Sequence, residues 1–191
     1  NSYEALVNID IRSIAVTDDK KVYIGTRHQG LYVLENDSLK KVDLPNELGL
    51  NQITALQNSS LDNGLWIGTS AYGIYKILDD QLFSYPNINT SLNEIWDIYE
   101  DKRNSIWVSG LGIGISRYGK ANVEIIDEKS GLSQGVILAT LEDSKGGIWL
   151  GTPGGGLNRV MDNEVKNFST KNGLSNNLVL SLAQRGDYIF A

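Results

Sequence analysis

The chain has 191 residues, twenty glycines, no cysteine and a formal net charge of −6. Without cysteine it can form neither disulfides nor cysteine-ligated metal sites, and an acidic chain without a basic stripe is a poor partner for nucleic acid. No apolar run reaches the roughly 18 residues of a membrane-spanning helix. The length suits one globular domain with a substantial core.

Taken in chain order, the sequence repeats itself. Residues 1–10 fit the outer strand of a preceding unit. From there on, an apolar residue opens each unit and recurs every 42 positions, at Ile11, Ile53, Ile95, Ile137 and Val179. A period of about 42 is the length of one four-stranded propeller blade. We therefore predict an all-β propeller with blade units at 11–52, 53–94, 95–136 and 137–178 and a partial unit at 179–191.

Each unit supplies four short strands, A to D, which are rich in β-branched and aromatic residues. Strand A begins at the opening residue, and in the last unit it is predicted at Val179–Ala183. Strand B carries an aromatic residue, at Tyr23, Trp66, Trp107, Trp149 and Phe190. Strand C is predicted at Leu31–Leu34, Ile74–Ile77, Ile115–Tyr118 and Leu157–Val160. Strand D is predicted at Leu39–Val42, Gln81–Tyr85, Val123–Ile126 and Val165–Phe168.

Glycine occupies one position just before strand C in every complete unit, at Gly30, Gly73, Gly114 and Gly156. We expect a positive φ there, which glycine adopts without steric cost. The strand-B aromatics are expected to fill space between neighbouring blades. No amphipathic helix of ten or more residues is predicted.

Four full units and the start of a fifth fall short of the roughly 300 residues of a seven-bladed propeller. We expect the chain to be a segment of a larger propeller. Apolar blade faces left uncovered would favour association, so a homodimer is one expected state.

The clearest copies of the repeat read GLSQGVILATLEDSKGGIWLGTPGGGLNR at Gly131–Arg159 and GLSNNLVLSL at Gly173–Leu182. In these residues the chain resembles the two-component regulator propeller repeat family. The resemblance implies an extracytoplasmic sensory propeller of a bacterial inner-membrane receptor, often seven-bladed. Its partners would be the remaining blades, a histidine kinase or diguanylate cyclase output domain outside this chain, and a small extracellular ligand, often an oligosaccharide.

Blade geometry points to candidate binding residues. Because strands alternate in direction, the B–C turns and the D–A connections lie at one face, where loops that differ between units would set specificity. We predict ligand binding by Arg12, His28, Tyr72, Trp96 and Asp97. Aromatic rings stack on sugars, and Arg and Asp hydrogen-bond to hydroxyls. Each of these residues also has a plain structural explanation, as a solvated turn residue, an interblade core residue or an ordinary surface charge.

The sequence predicts no catalytic residue, no metal site and no cofactor. Gly131–Gly135 spells G-x-S-x-G, but a strand follows it where a nucleophile elbow needs a helix, and His28 is the only histidine. The paired carboxylates Glu100-Asp101 and Glu142-Asp143 point to opposite sides of an extended chain. A ligand-sensing module without catalysis is the first hypothesis. A structural or protein-binding propeller and a part of a carbohydrate-active propeller enzyme are the alternatives.

Overall fold

The computed structural model describes residues 8–45, 50–70, 72–85, 94–111, 114–119 and 123–191, so most of the predicted outer strand at 1–10 lies outside it. The described residues form four four-stranded antiparallel sheets and a two-stranded hairpin. The described residues also include two three-residue 3-10 turns, Glu128–Ser130 and Thr170–Asn172. The predicted four-stranded units are confirmed.

The strands of each complete sheet follow chain order, A to D. The first sheet contains β1 (Ile11–Val16), β2 (Val22–Thr26), β3 (Leu31–Glu35) and β4 (Ser38–Lys41). The second contains β5 (Ile53–Asn58), β6 (Leu65–Thr69), β7 (Ile74–Leu78) and β8 (Gln81–Ser84). The third contains β9 (Glu94–Glu100), β10 (Ile106–Leu111), β11 (Ile115–Tyr118) and β12 (Val123–Ile126). The fourth contains β13 (Ala139–Glu142), β14 (Ile148–Gly151), β15 (Leu157–Met161) and β16 (Glu164–Phe168), and the hairpin contains β17 (Ala183–Arg185) and β18 (Tyr188–Phe190).

The chain divides into two compact units, residues 1–90 and 91–191. The core of the first unit lies between its two sheets and includes Leu31, Ile53 and Ile67, all fully buried. The core of the second unit includes Ile115, Ile137 and Leu150, which are likewise fully buried. Each core joins the B and C strands of one sheet to the opening residue of the next, as expected for stacked blades.

The glycine before strand C has the predicted conformation in all four sheets. The φ angles of Gly30, Gly73, Gly114 and Gly156 are 82, 85, 95 and 84°. At Gly156 a Cβ atom would also collide with the carbonyl oxygen of Phe168, whereas at Gly73 nothing lies within 4 Å of that position. Glycine is therefore required for backbone conformation at every copy and for space at some of them.

The predicted strand A of the fifth unit is wrong. The strand is β17 (Ala183–Arg185) and not Val179–Ala183. The amide of Val179 donates a hydrogen bond to the carbonyl oxygen of Thr152, 2.9 Å away, and the Val179 side chain packs over Gly151. The backbone at Val179 is therefore hydrogen-bonded to the end of the fourth sheet and does not pair with the β17–β18 hairpin.

Within the described residues, no helix has the length and apolar character needed to span a membrane.

Candidate functional site

Strand A of the first three sheets carries a β-bulge at the same repeat position. In the first sheet, Ile11 pairs with Thr26 and Ser13 with Gly25, which leaves Arg12 as the extra residue. By the same shift in register, Thr54 is the extra residue of β5 and Trp96 that of β9. A bulge changes the direction in which its side chain points and is common beside binding sites. Arg12, Thr54 and Trp96 therefore occupy one structural position with three different side chains.

These bulges lie beside the B–C turns of their sheets. The Arg27 amide, in the first B–C turn, donates to the carbonyl oxygen of Asp10 at 2.9 Å, and the Ser70 amide, in the second, donates to that of Gln52 at 3.1 Å. We call this end of a sheet, the start of strand A together with the B–C turn, its mouth end. The predicted placement of the B–C turns beside the D–A connections is thus observed within each of these sheets.

In the first unit, charged groups gather at the mouth end of the first sheet. The Asp10 carboxylate pairs with Arg12 at 3.2 Å and with Arg27 at 3.5 Å, and His28 is exposed in the adjacent turn. Tyr72 lies at the mouth end of the second sheet, with 54% of its surface exposed. Arg12 and His28 thus share one sheet end, while Tyr72 lies at the corresponding end of its neighbour.

Sequence reasoning missed three contributors to this region. Asp10 and Arg27 complete the charged group around Arg12, although neither stands out in the repeat. The hydroxyl of Thr54, at the bulge position, is buried and has no hydrogen-bond partner among the described residues. The sequence contained one indication of Thr54, because Thr54 occupies the position in the second repeat that Arg12 occupies in the first.

In the second compact unit, residues 91–191, Trp96 and Asp97 are adjacent on β9 and have different roles. Trp96 is half-buried at the bulge. The Asp97 carboxylate accepts hydrogen bonds from the hydroxyl and amide of Thr140 and from the amide of Ile98. Burial raises the pKa of Asp97 to about 6, although these hydrogen bonds oppose the shift. Asp97 therefore links β9 to β13, and its role toward a ligand stays a prediction.

The same link exists in the first unit with a neutral side chain. The Ser13 hydroxyl, one position after its bulge, accepts a hydrogen bond from the Leu56 amide at 2.9 Å. Ser13 and Asp97 are copies of one repeat position, as are Leu56 and Thr140. The hydrogen bond between strand A of one sheet and strand A of the next thus recurs in the repeat. In the second compact unit its acceptor is the titratable carboxylate of Asp97.

The paired carboxylates at the A–B turns prove to be structural. One oxygen of Asp101 accepts from the Trp107 indole at 2.7 Å, and one oxygen of Asp143 accepts from the Trp149 indole at 2.8 Å. The second oxygen of each accepts turn amides, including that of Gly147 at 2.8 Å. Each aspartate thus joins the A–B turn to the strand-B tryptophan. The six-residue spacing from Asp to Trp, present in both copies, was the sequence signal for this contact.

The glutamates of these pairs point elsewhere, as the alternation of an extended chain predicts. The Glu142 carboxylate, 3% exposed, accepts from the Tyr99 hydroxyl at 3.3 Å and the Lys102 amide at 3.2 Å. Burial and the charge of Glu142 raise the pKa of Tyr99 to about 12. Glu142 thereby connects the fourth sheet to the A–B turn of the third.

Comparison with known proteins supports the repeat assignment. The sequence profile described as "Two component regulator propeller" matches residues 91–112 and 131–154. No curated protein sequence matches the chain.

Solved structures share the fold. The extracellular domain of the hybrid two-component system BT3049 from B. thetaiotaomicron is 22% identical with a TM-score of 0.75, over 93% of this chain and 25% of that one. Virginiamycin B lyase from Staphylococcus aureus is 19% identical with a TM-score of 0.65, over 83% of this chain and 55% of that one. The computationally designed Ika8 protein is 15% identical with a TM-score of 0.68, over 94% of this chain and 54% of that one.

This chain therefore spans about a quarter of the BT3049 domain and about half of the other two proteins. At these identities the likeness concerns the fold alone. Together with the repeated four-stranded sheets, it identifies an all-β fold of propeller-type blades, in which residues 91–112 and 131–154 match the two-component regulator propeller repeat.

Proposed function

We propose that this chain is a non-catalytic, ligand-sensing segment of an extracytoplasmic propeller in a bacterial signal-transduction receptor, and that it binds an oligosaccharide at the mouth ends of its sheets. The observation that carries the proposal is the repeated bulge, which presents a different side chain at one position in each of three sheets. Packing alone would favour similar residues at equivalent positions. A constant backbone with variable side chains suits recognition.

The chemistry at the mouth ends suits a sugar. Trp96 is half-buried and Tyr72 is exposed, so both have ring surface that a sugar could stack on. Arg12 with Asp10 supplies donors and acceptors for hydroxyl groups. Sites of this kind combine apolar walls with a few placed polar groups.

The enzyme alternative finds less support in the residues described. Asp97, the acid nearest to Trp96 in sequence, already accepts hydrogen bonds from Thr140. Asp101 and Asp143 hold tryptophan indoles and turn amides at the other end of their sheets. The likeness to virginiamycin B lyase, at 19% identity, concerns the fold alone. Chromatography of oligosaccharides incubated with the chain tests this alternative, and a new product would favour it.

Binding is tested with an array of defined oligosaccharides, followed by calorimetric titration of the tightest one. We expect Arg12→Ala and Tyr72→Ala, both in the first compact unit, each to weaken binding at least about tenfold, which corresponds to about 1.4 kcal/mol. Lys145→Ala is the matched control, because Lys145 is exposed at an A–B turn and should leave affinity unchanged. Arg12 and Tyr72 are both exposed, so neither substitution should disturb folding.

Failure to bind any oligosaccharide on the array would contradict the ligand class. Binding that survives both mouth-end substitutions but is lost in Lys145→Ala would contradict the location. The first result would favour the structural or protein-binding alternative, and the second would place the sugar site at the A–B turns.

A further inference from the structure

Three of the four complete sheets place a cation over their strand-B tryptophan. The cation comes from strand C, directly across from the tryptophan in the register of the sheet. The distances to the ring centre are 4.5 Å for Lys76 over Trp66, 5.2 Å for Arg117 over Trp107 and 5.5 Å for Arg159 over Trp149. Such contacts are favourable because the ring face carries partial negative charge.

The cation is held at the A–B turn, and a small residue makes room for it. Arg159 pairs with Asp143 at 2.7 Å, and a Cβ atom on Gly147 would collide with its guanidinium group. Lys76 pairs with Asp62 at 2.7 Å and in the same way passes over Gly64. Tryptophan, cation and small residue therefore form one recurring set.

The first sheet lacks this set. Its strand-B aromatic is Tyr23, and the residue across from it is Val33. Lys21 stands where the other repeats have Gly64, Ser105 or Gly147. Its ammonium group lies 3.0 Å from Asp19 and 3.8 Å from Glu35. Within the part of the chain that the structure describes, no cation stacks on Tyr23.

A cavity of about 500 Å³ borders both Tyr23 and Val33, the two positions at which the set is missing. Its apolar walls include Tyr23, Val33, Ile77 and Leu82. A smaller cavity of about 210 Å³ shares Tyr23, Ile77 and Asp80 with it. We call the two together the Tyr23 cavity. It lies between the first and second sheets of the first unit, and the mouth-end residues Arg12, His28 and Tyr72 are not among its walls.

Acidic groups outnumber basic ones around the Tyr23 cavity. The lining acids are Asp19, Glu35, Asp43, Asp62, Asp79 and Asp80, and the lining lysines are Lys21, Lys40 and Lys41. Lys21 is already paired with Asp19 and Glu35. Asp80 has no ion pair with any described residue. Burial raises the pKa of the Tyr23 hydroxyl, and the charge of Asp80 adds to that shift.

We propose that the Tyr23 cavity binds an organic cation with a planar guanidinium group, which occupies the place that Arg117 and Arg159 fill in their own sheets. The guanidinium would stack on the Tyr23 ring and share its donors with the Asp80 carboxylate, a geometry that arginine favours over lysine. The apolar stem would lie against Val33 and Ile77. The internal repeat thus indicates both the position and the chemistry of the ligand.

The probe is Nα-acetyl-L-arginine amide, titrated calorimetrically into the full chain. Its citrulline counterpart has nearly the same shape without the charge, and Nα-acetyl-L-glutamate tests whether Lys40 and Lys41 instead select an anion. We expect the arginine compound to bind, the citrulline compound to bind at least tenfold more weakly, and the glutamate to show no binding. Equal binding of arginine and citrulline compounds, preference for glutamate, or no binding at all would overturn the proposal.

Two variants locate the site. The double substitution Lys21→Gly with Val33→Arg grafts the pattern of the fourth sheet onto the first, and should keep the thermal midpoint while abolishing probe binding. Asp80→Asn should weaken binding at least tenfold. Asp162→Asn, in the equivalent turn of the fourth sheet, is the matched control and should leave binding unchanged. If the graft fails to fold, the comparison of Asp80→Asn with Asp162→Asn decides; equal affinities there, or full binding by a folded graft, would refute the location.

Discussion

Replacement of Asp143 by alanine is the sharpest perturbation of the fold that the structure offers. The carboxylate is 10% exposed and pairs with Arg159 at 2.7 Å. It also accepts from the Trp149 indole and from the amide of Gly147. Asp143→Ala would leave a partly buried guanidinium, an indole and a buried amide without their acceptor.

The magnitude follows from these contacts. Breaking a buried ion pair by removing one partner costs about 3–5 kcal/mol, and we expect Asp143→Ala to lower the free energy of unfolding by that amount. Asp101→Ala is the matched control. It loses the equivalent bonds from Trp107 and Ser105, but Arg117 keeps its own contacts with Ser105 and Glu124. We expect Asp101→Ala to cost about 2–3 kcal/mol.

The pH dependence of the Asp143→Asn variant tests the charge itself. Burial alone would raise the pKa of Asp143, but hydrogen bonds from Gly147, Trp149 and Arg159 outweigh it and lower the pKa to about 2. Because the folded-state pKa lies below the unfolded value of 3.8, the ionised group stabilises the fold above about pH 4, and this contribution is lost as pH falls toward 2. It amounts to about 2 kcal/mol.

Urea unfolding followed by tryptophan fluorescence measures both effects. The stability difference between the wild-type chain and Asp143→Asn should be largest near neutral pH and shrink steadily below pH 4. A cost of Asp143→Ala equal to or below that of Asp101→Ala, or a difference from Asp143→Asn that grows on acidification, would refute the reasoning.

Two further predictions concern backbone and burial. Gly156→Ala should destabilise the chain by at least about 2 kcal/mol, because a Cβ atom there would meet Phe168 and φ is positive. Gly73→Ala has open space around it and should cost only about 1 kcal/mol of backbone strain. Equal shifts of the thermal midpoint in the two variants would contradict this. For Asp97, burial raises the folded-state pKa to about 6 from 3.8, so the fold loses stability as the pH rises from 4 to 6. Asp97→Asn should therefore stabilise the chain by about 1–3 kcal/mol at pH 8 but not at pH 4. A loss of stability at pH 8 would show that the hydrogen bond from Thr140 needs the charge.

The sequence predicted the sheets well because the period of the apolar and glycine residues is a local property. Gly30 and Gly156 mark turns through their own conformational freedom, and no partner is needed to recognise them. Val179 was misplaced because its hydrogen bond to Thr152 is made outside its own unit, which local alternation does not encode.

The candidate site was harder to predict. The register shift that makes Arg12 and Trp96 extra residues depends on pairing with strand B, and the spacing of apolar residues alone does not show it. The link from Asp97 to Thr140 crosses between sheets in the same way. The aligned repeats have Val33 where the other repeats have Lys76, Arg117 or Arg159. That this cation stacks on the strand-B aromatic became clear only from the contacts of Arg159.

The central claim is that recognition takes place at the mouth ends of the sheets. Amide hydrogen exchange, measured with and without the oligosaccharide that binds tightest on the array, tests it directly. We predict slowed exchange in the peptides that cover 10–13, 26–30 and 52–55, and unchanged exchange at the A–B turns 17–21, 58–64 and 101–105. Protection confined to the A–B turns would contradict it.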